Sequence, residues 1–146
     1  MAIFPTRILL ATDGSPDATV AARSAIELAA ATGSELHVVH VGEFLPTYLA
    51  FTEEEPAELR RRARELLDAQ KERIEGELGG TVAEAHLLLG RPAEEIINLS
   101  ERIDAGTVVV GSRGQGSLRR AVLGSVSENV VRYAPCPVFV ARAKDG

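Results

Sequence analysis

Short β-branched runs alternate along this chain with longer segments whose apolar residues recur every three to four positions, and few folds accommodate such an order. The runs cover residues 7–12, 35–41, 81–88, 107–110 and 137–141. Several are apolar throughout instead of alternating, as parallel strands covered on both faces must be. Between the first two, Ser15 is an N-cap with Pro16 at the first helical position, and an Ala-rich helix runs to residue 31 before Gly33. A second helix over 56–78 puts Leu59, Ala63, Leu66, Leu67, Ile74 and Leu78 on one side. A third runs from Pro92 through Ile96, Ile97, Ser100 and Ile103 to Gly106. A fourth starts near Leu123 or Gly124, carries Val126, Val130 and Ala134, and stops at Pro135. The order is β-α-β-α-β-α-β-α-β. Right-handed crossovers then predict an open, doubly wound, five-stranded parallel sheet, a Rossmann-like or flavodoxin-like three-layer α/β sandwich whose ligands lie beyond the strand C-termini; the strand order expected is 3-2-1-4-5.

At 146 residues one core has to do everything, so residues 1–146 are expected to form a single domain. Sixteen Lys and Arg stand against 21 Asp and Glu, and the net charge of −5 argues against a nucleic-acid backbone or an anionic membrane as partner. Arg60, Arg61, Arg62 and Arg64 interleave with acidic residues and read as a solvated face more readily than as a docking surface. The lone Cys136 cannot close a disulfide within the chain or build a multi-cysteine zinc site. The first 13 residues lack a secretory h-region and no stretch nears a membrane span, so the expected location is the cytoplasm. Residues 42–55 are the one irregular stretch. They hold Phe44, Tyr48 and Phe51, rings that either cover a ligand or seal the core or a subunit contact.

Glycine concentrates after the fourth run: Val110, Gly111, Ser112, Arg113, Gly114, Gln115, Gly116, then Gly124, Ser125, Val126 and Ser127 at a helix start. Gly111, Gly114 and Gly116 either shape a turn or let amide groups converge on an anion, through positive φ or the lack of a Cβ. Gly124 and Ser125 either cap a helix or offer its unpaired amides and dipole to a phosphate. The two features flank one strand end, which favours the anion. Asp13, before Gly14, is a turn residue or a ligand contact where an open sheet places ligands. His37, His40 and His86 fall on strands with no spacing that suggests a metal face. No Gly-Lys-Ser/Thr, His-Glu-x-x-His or Gly-x-Ser-x-Gly motif is present.

Gly111, two residues, Gly114, nine residues, then Gly124-Ser125 resembles the nucleotide-binding signature of the universal stress protein family in its ATP-binding branch. Residues 8–15 with Asp13, His40-Val41, the stretch 90–94 and the stretch 134–138 are similar to other parts of the family's pattern, so the resemblance spans nearly the whole chain. It implies Asp13 at the ribose or the phosphate-bound Mg2+, Val41 backbone at adenine, and Ala11 and Thr12 in the base pocket. It also implies Gly111, Gly114, Gly124, Ser125 and Val126 at ribose and phosphates. The neighbouring Val110, Ser112, Gly116 and Ser127 complete the candidate set, and Arg113 joins it on charge alone.

The function expected is a nucleotide-dependent regulatory or stress-response module. It binds ATP, or ADP or AMP, with Mg2+ accompanying the triphosphate, and binding is its output in place of turnover. No catalytic residue is assigned, and slow hydrolysis is the most enzymatic activity expected. Two alternatives are a dimeric scaffold without functional nucleotide binding and a slow ATPase or nucleotidyl-transfer enzyme. The last strand lies near the chain end as an open edge, and the resemblance implies a homodimer through Val138, Phe139 and Val140.

Overall fold

In the computed structural model, which describes residues 2–44, 56–113 and 124–143, nine elements follow the predicted order. They are β1 (Arg7–Ala11), α1 (Pro16–Thr32), β2 (Glu35–Glu43), α2 (Pro56–Gly76), β3 (Val82–Gly90), α3 (Pro92–Arg102), β4 (Ala105–Gly111), α4 (Ser125–Tyr133) and β5 (Val138–Ala141). All strand pairs are parallel and the order is β3-β2-β1-β4-β5. The chain therefore reverses its direction of progress between β1 and β4, where the C-terminal strand ends open a crevice.

Two apolar layers sandwich the sheet. Alternate side chains Ile8, Leu10, Leu36, Val38 and Val109 pack with Ala21, Ala22 and Ala25 of α1 and Leu67 and Ile74 of α2. The opposite set, Leu9, Val39, Val41, Val108 and Val110, packs with Ile96 and Leu99 of α3 and Val130 of α4. Both faces of the central strands are thus apolar, the physical cause of the uninterrupted hydrophobic runs. α1 starts and stops where its residues dictate. The Ser15 hydroxyl accepts from the Ala18 amide at 3.2 Å, Pro16 follows, and Gly33 at φ 67° closes the helix by donating to the Ala29 carbonyl.

Several boundaries differ from expectation, two of them where strands pair. β2 runs on to Glu43, because its last residues keep pairing with β3 up to Glu43↔Gly90, so the irregular stretch starts later than residue 42. Phe44 still donates its amide to the Gly90 carbonyl at 2.9 Å, while Tyr48 and Phe51 lie outside the described residues. β4 begins two residues early, at Ala105, which pairs with Arg7 despite low β propensity. Arg61 reaches Glu58 and Glu65 along the exposed face of α2, as the interleaved charges predict. Among the described residues no helix is long and apolar enough to cross a membrane.

Candidate functional site

The site is built where β1 and β4 end side by side. After Ala11 the chain turns at once: the Ser15 amide donates to Asp13 Oδ1 at 2.9 Å, Gly14 takes φ 80°, and Ser15 caps α1. Asp13 is therefore a turn residue that also lines the crevice. His40 donates from Nδ1 to the Thr12 carbonyl at 2.8 Å and Thr12 Oγ1 meets Gln70 Oε1 at 3.1 Å, so the end of β1 is held from both sides.

β4 ends at Gly111, whose backbone is not in the left-handed region; among the described residues only Gly14, Gly33, Gly79 and Gly90 are glycines with positive φ. The expectation of positive φ at Gly111 is corrected accordingly. A Cβ there would stand 2.9 Å from the carbonyl carbon and Cβ of Asp17 and 3.0 Å from the Ala18 amide nitrogen. Gly111 lets the strand end press against the first turn of α1. That approach builds a buried knot around Asp17, which is only 2% exposed. Asp17 Oδ2 accepts from Ser112 Oγ at 2.5 Å, from the Arg113 amide at 3.1 Å and from Arg113 Nε at 3.4 Å, and Oδ1 accepts from the Ala143 amide at 2.9 Å. Burial pushes this carboxyl up, but the hydrogen bonds from Ser112, Ala143 and Arg113 outweigh it and hold its pKa below the ordinary aspartate value.

α4 faces the same crevice with its N-terminus. Gly124 is the N-cap, in extended conformation at φ −67° and ψ 159°, and its amide is committed to the Ser112 carbonyl at 2.7 Å. Ser127 is committed as well: its hydroxyl donates to the same carbonyl at 2.7 Å and lies 3.0 Å from Gly124 O. The first intrahelical donor is Glu128, to Gly124 O at 2.9 Å, so the amides of Ser125, Val126 and Ser127 precede the helical ladder. The Gly124 amide, which the glycine pattern offered to a phosphate, is thus taken by the Ser112 carbonyl.

These parts enclose a cleft of about 300 Å³. Of the sequence candidates, Ala11, Thr12, Asp13, Val41, Val110, Gly111, Arg113, Gly124, Ser125, Val126 and Ser127 line it. Ser112 does not; it is buried behind the wall, tying β4 to Asp17. Gly114 and Gly116 lie outside the described residues. Arg113 is at the wall but its guanidinium is engaged by Asp17, a partner that charge counting does not reveal. One edge of the cleft comes from β2 outrunning β1. The Val39 carbonyl accepts from the Thr12 amide at 2.9 Å, the last such bond to the β1 segment. Strand alternation turns the Val41 amide and carbonyl to the same side, past the end of β1, where they offer a donor-acceptor pair. Ser15, His40, Glu43 and Ile96 also line the cleft and were not singled out. Strand C-termini are a signal that could have marked His40 and Glu43.

Comparison with known proteins agrees with this architecture. The sequence profile described as "Universal stress protein family" matches residues 5–142. The chain belongs to the universal stress protein family. A Thermus aquaticus relative, "Universal stress protein in QAH/OAS sulfhydrylase 3'region", is 44% identical over 137 residues, covering 92% of this chain and 97% of its own. Among solved structures, the hypothetical protein MJ0577 superposes with a TM-score of 0.77 at 28% identity, covering 97% of this chain and 98% of its own. The universal stress protein from Archaeoglobus fulgidus in complex with dAMP gives 0.68 at 26% identity, over 96% and 99%. These full-length matches explain the sheet order, which universal stress proteins share.

Proposed function

We propose that the cleft binds an adenine nucleotide, with ATP as the principal ligand and ADP or AMP as weaker ones, and that occupancy is the signal the protein transmits. The observation that carries the reading is the pairing of two recognition elements in one cleft. The Val41 backbone edge, flanked by Ala11, Val39, Val110 and Ile96, suits a flat heteroaromatic base with one donor and one acceptor. The α4 first turn at Ser125, Val126 and Ser127 suits phosphate oxygens through amides and dipole. A family relative of matching fold is described in complex with dAMP, which supports the base class.

Asp13 and Glu43 are carboxylates on the described wall, and Asp13 Oδ1 accepts from the Ser15 amide. One or two carboxylates plus phosphates are an ordinary donor set for Mg2+, so Asp13 fits a metal brought in by a triphosphate, which would neutralise phosphate charge. Binding in place of turnover follows from the side chains. Arg113, the cation on the described wall, is held by Asp17, and no lysine is among the described lining residues. The open edge strand β5, with Phe139 46% exposed, supports a homodimer through Val138, Phe139 and Val140 as the form that presents the signal.

Calorimetric titration with Mg-ATP, ADP and AMP tests the reading on wild type and on Ser125→Asp. The new carboxylate is exposed in a helical first turn, where it stabilises the fold, yet it repels phosphate. ATP affinity is expected to fall at least ten-fold, about 1.4 kcal/mol, with melting no lower than that of wild type. Equal ATP affinity in the two proteins would overturn the phosphate assignment.

A further inference from the structure

Away from the cleft, the strand pair β2 and β3 gathers a second set of ligating side chains, His37, Glu84 and His86, whose donor atoms all lie within 4.8 Å of one another. Their meeting depends on one backbone irregularity. Leu36 pairs with Val82, but the register then shifts so that His37 pairs with Glu84 and Val39 with His86, skipping Ala83. In unbroken register His37 would oppose Ala83, and His86 would face the other side of the sheet with His40. The bulge turns all three ligating side chains to one face, and such bulges commonly re-aim side chains at functional sites.

We propose that His37 Nδ1, His86 Nε2 and Glu84 Oε2 form a binding site for a first-row divalent transition metal of the Zn2+ class. The two nitrogens are 3.2 Å apart, against about 3.3 Å for two imidazoles on one tetrahedral zinc. Glu84 Oε2 stands 3.9 Å from His86 Nε2 and its ligand atom lies within 4.8 Å of that of His37, so this exposed side chain swings inward to reach the same ion. The ring centroids are 5.4 Å apart with planes inclined by 18°. A centroid separation so much longer than the nitrogen contact means that the rings meet edge to edge, sharing a proton where an ion would go. Each ring pivots by about 35° so that the two lone pairs converge on the ion at the tetrahedral angle, and the ion replaces that proton, which moves to the other nitrogen of His86.

A supporting residue is already in place. Glu35 Oε1 lies 2.9 Å from His37 Nε2 and accepts its proton, so the Nδ1 lone pair is directed at the site. Carboxylates fix the tautomer of metal-bound histidines in this way. The His37 and His86 side chains are 4% and 13% exposed while Glu84 is 62% exposed, so the imidazoles wall the site and the carboxylate marks its mouth. Water fills the fourth position. Imidazole with one carboxylate suits Zn2+ and its neighbours and not Mg2+, so this metal differs in class from the one a triphosphate would carry.

The test uses tag-free, chelator-treated protein without nucleotide, titrated with Co2+ and followed by its tetrahedral visible absorption, then with Zn2+ by calorimetry. One ion per chain is expected. His86→Gln should abolish the absorption. Glu84→Gln, at an exposed position that leaves the fold intact, should weaken Zn2+ at least ten-fold, while Asp13→Asn in the cleft should leave the absorption unchanged. No absorption in wild type, or equal Zn2+ affinity in wild type and Glu84→Gln, overturns the site. So does absorption lost in Asp13→Asn but kept in His86→Gln.

Discussion

Strand β2 carries a different chemistry at each end of one face. Its C-terminal end, at Val41, extends past β1 into the cleft; about 13 Å back along the strand, His37 meets Glu84 and His86 across β3. The cleft end is assembled from residues clustered in sequence, 11–15, 110–113 and 124–127, each at an element boundary. The histidine end is assembled from mid-strand residues that only pairing brings together. Boundary chemistry leaves a local trace in glycines, caps and turns, and register chemistry leaves almost none.

The largest effect expected from separating the two ends is at Asp17. Asp17→Ala removes the acceptor of Ser112, Arg113 and the Ala143 amide, and should cost about 2–4 kcal/mol in urea unfolding. Cobalt absorption at the histidine end should not change. The stabilisation has a defined pH window. Because the native carboxyl titrates below its unfolded value, its contribution is complete above the unfolded pKa of about 3.9 and is lost as pH falls through the native value. Wild type and Asp17→Asn should therefore differ in stability at pH 7 and converge towards pH 3. A difference that stayed constant with pH would assign the effect to packing.

Gly111→Ala comes next. The added methyl meets α1 backbone at 2.9 Å, and overpacking of this kind costs about 1–3 kcal/mol. Thermal melts should show the loss, and nucleotide affinity should fall with it because the strand end moves. Glu35→Gln is the smallest perturbation to the fold. Its side chain is exposed, so melting should not move, yet Zn2+ affinity should drop about ten-fold as the acceptor that orients His37 loses its charge. Zinc affinity unchanged in Glu35→Gln would mean that His37 needs no carboxylate to hold its tautomer.

These contrasts also measure what the amino-acid order reveals. The elements were legible because Leu9, Val39 and Val108 lie in runs buried on both faces, while α1 is bracketed by Ser15-Pro16 and Gly33. The doubly wound sheet followed from crossover handedness. In the cleft, Asp13, Gly111 and Ser125 were legible as turn, strand end and helix start, but their individual roles were not. Gly111 serves a close approach to Asp17, which lies 94 residues earlier in the chain, and the Gly124 amide serves Ser112. Asp17 looks like any acidic residue in a first turn, and its partners at Ser112 and Ala143 are distant in sequence. His37, Glu84 and His86 were hidden for a sharper reason. Their shared face depends on a skipped Ala83, and no periodicity announces a one-residue register shift.

The central claim is that one cleft reads a base at Val41 and phosphates at the start of α4. Amide NMR of the folded chain titrated with Mg-ATP tests it most directly. Large, saturable shifts at Val41, Ser125 and Val126, with His37 and His86 unmoved, are the result expected. Shifts absent from Val41 and the α4 first turn at millimolar nucleotide would contradict it.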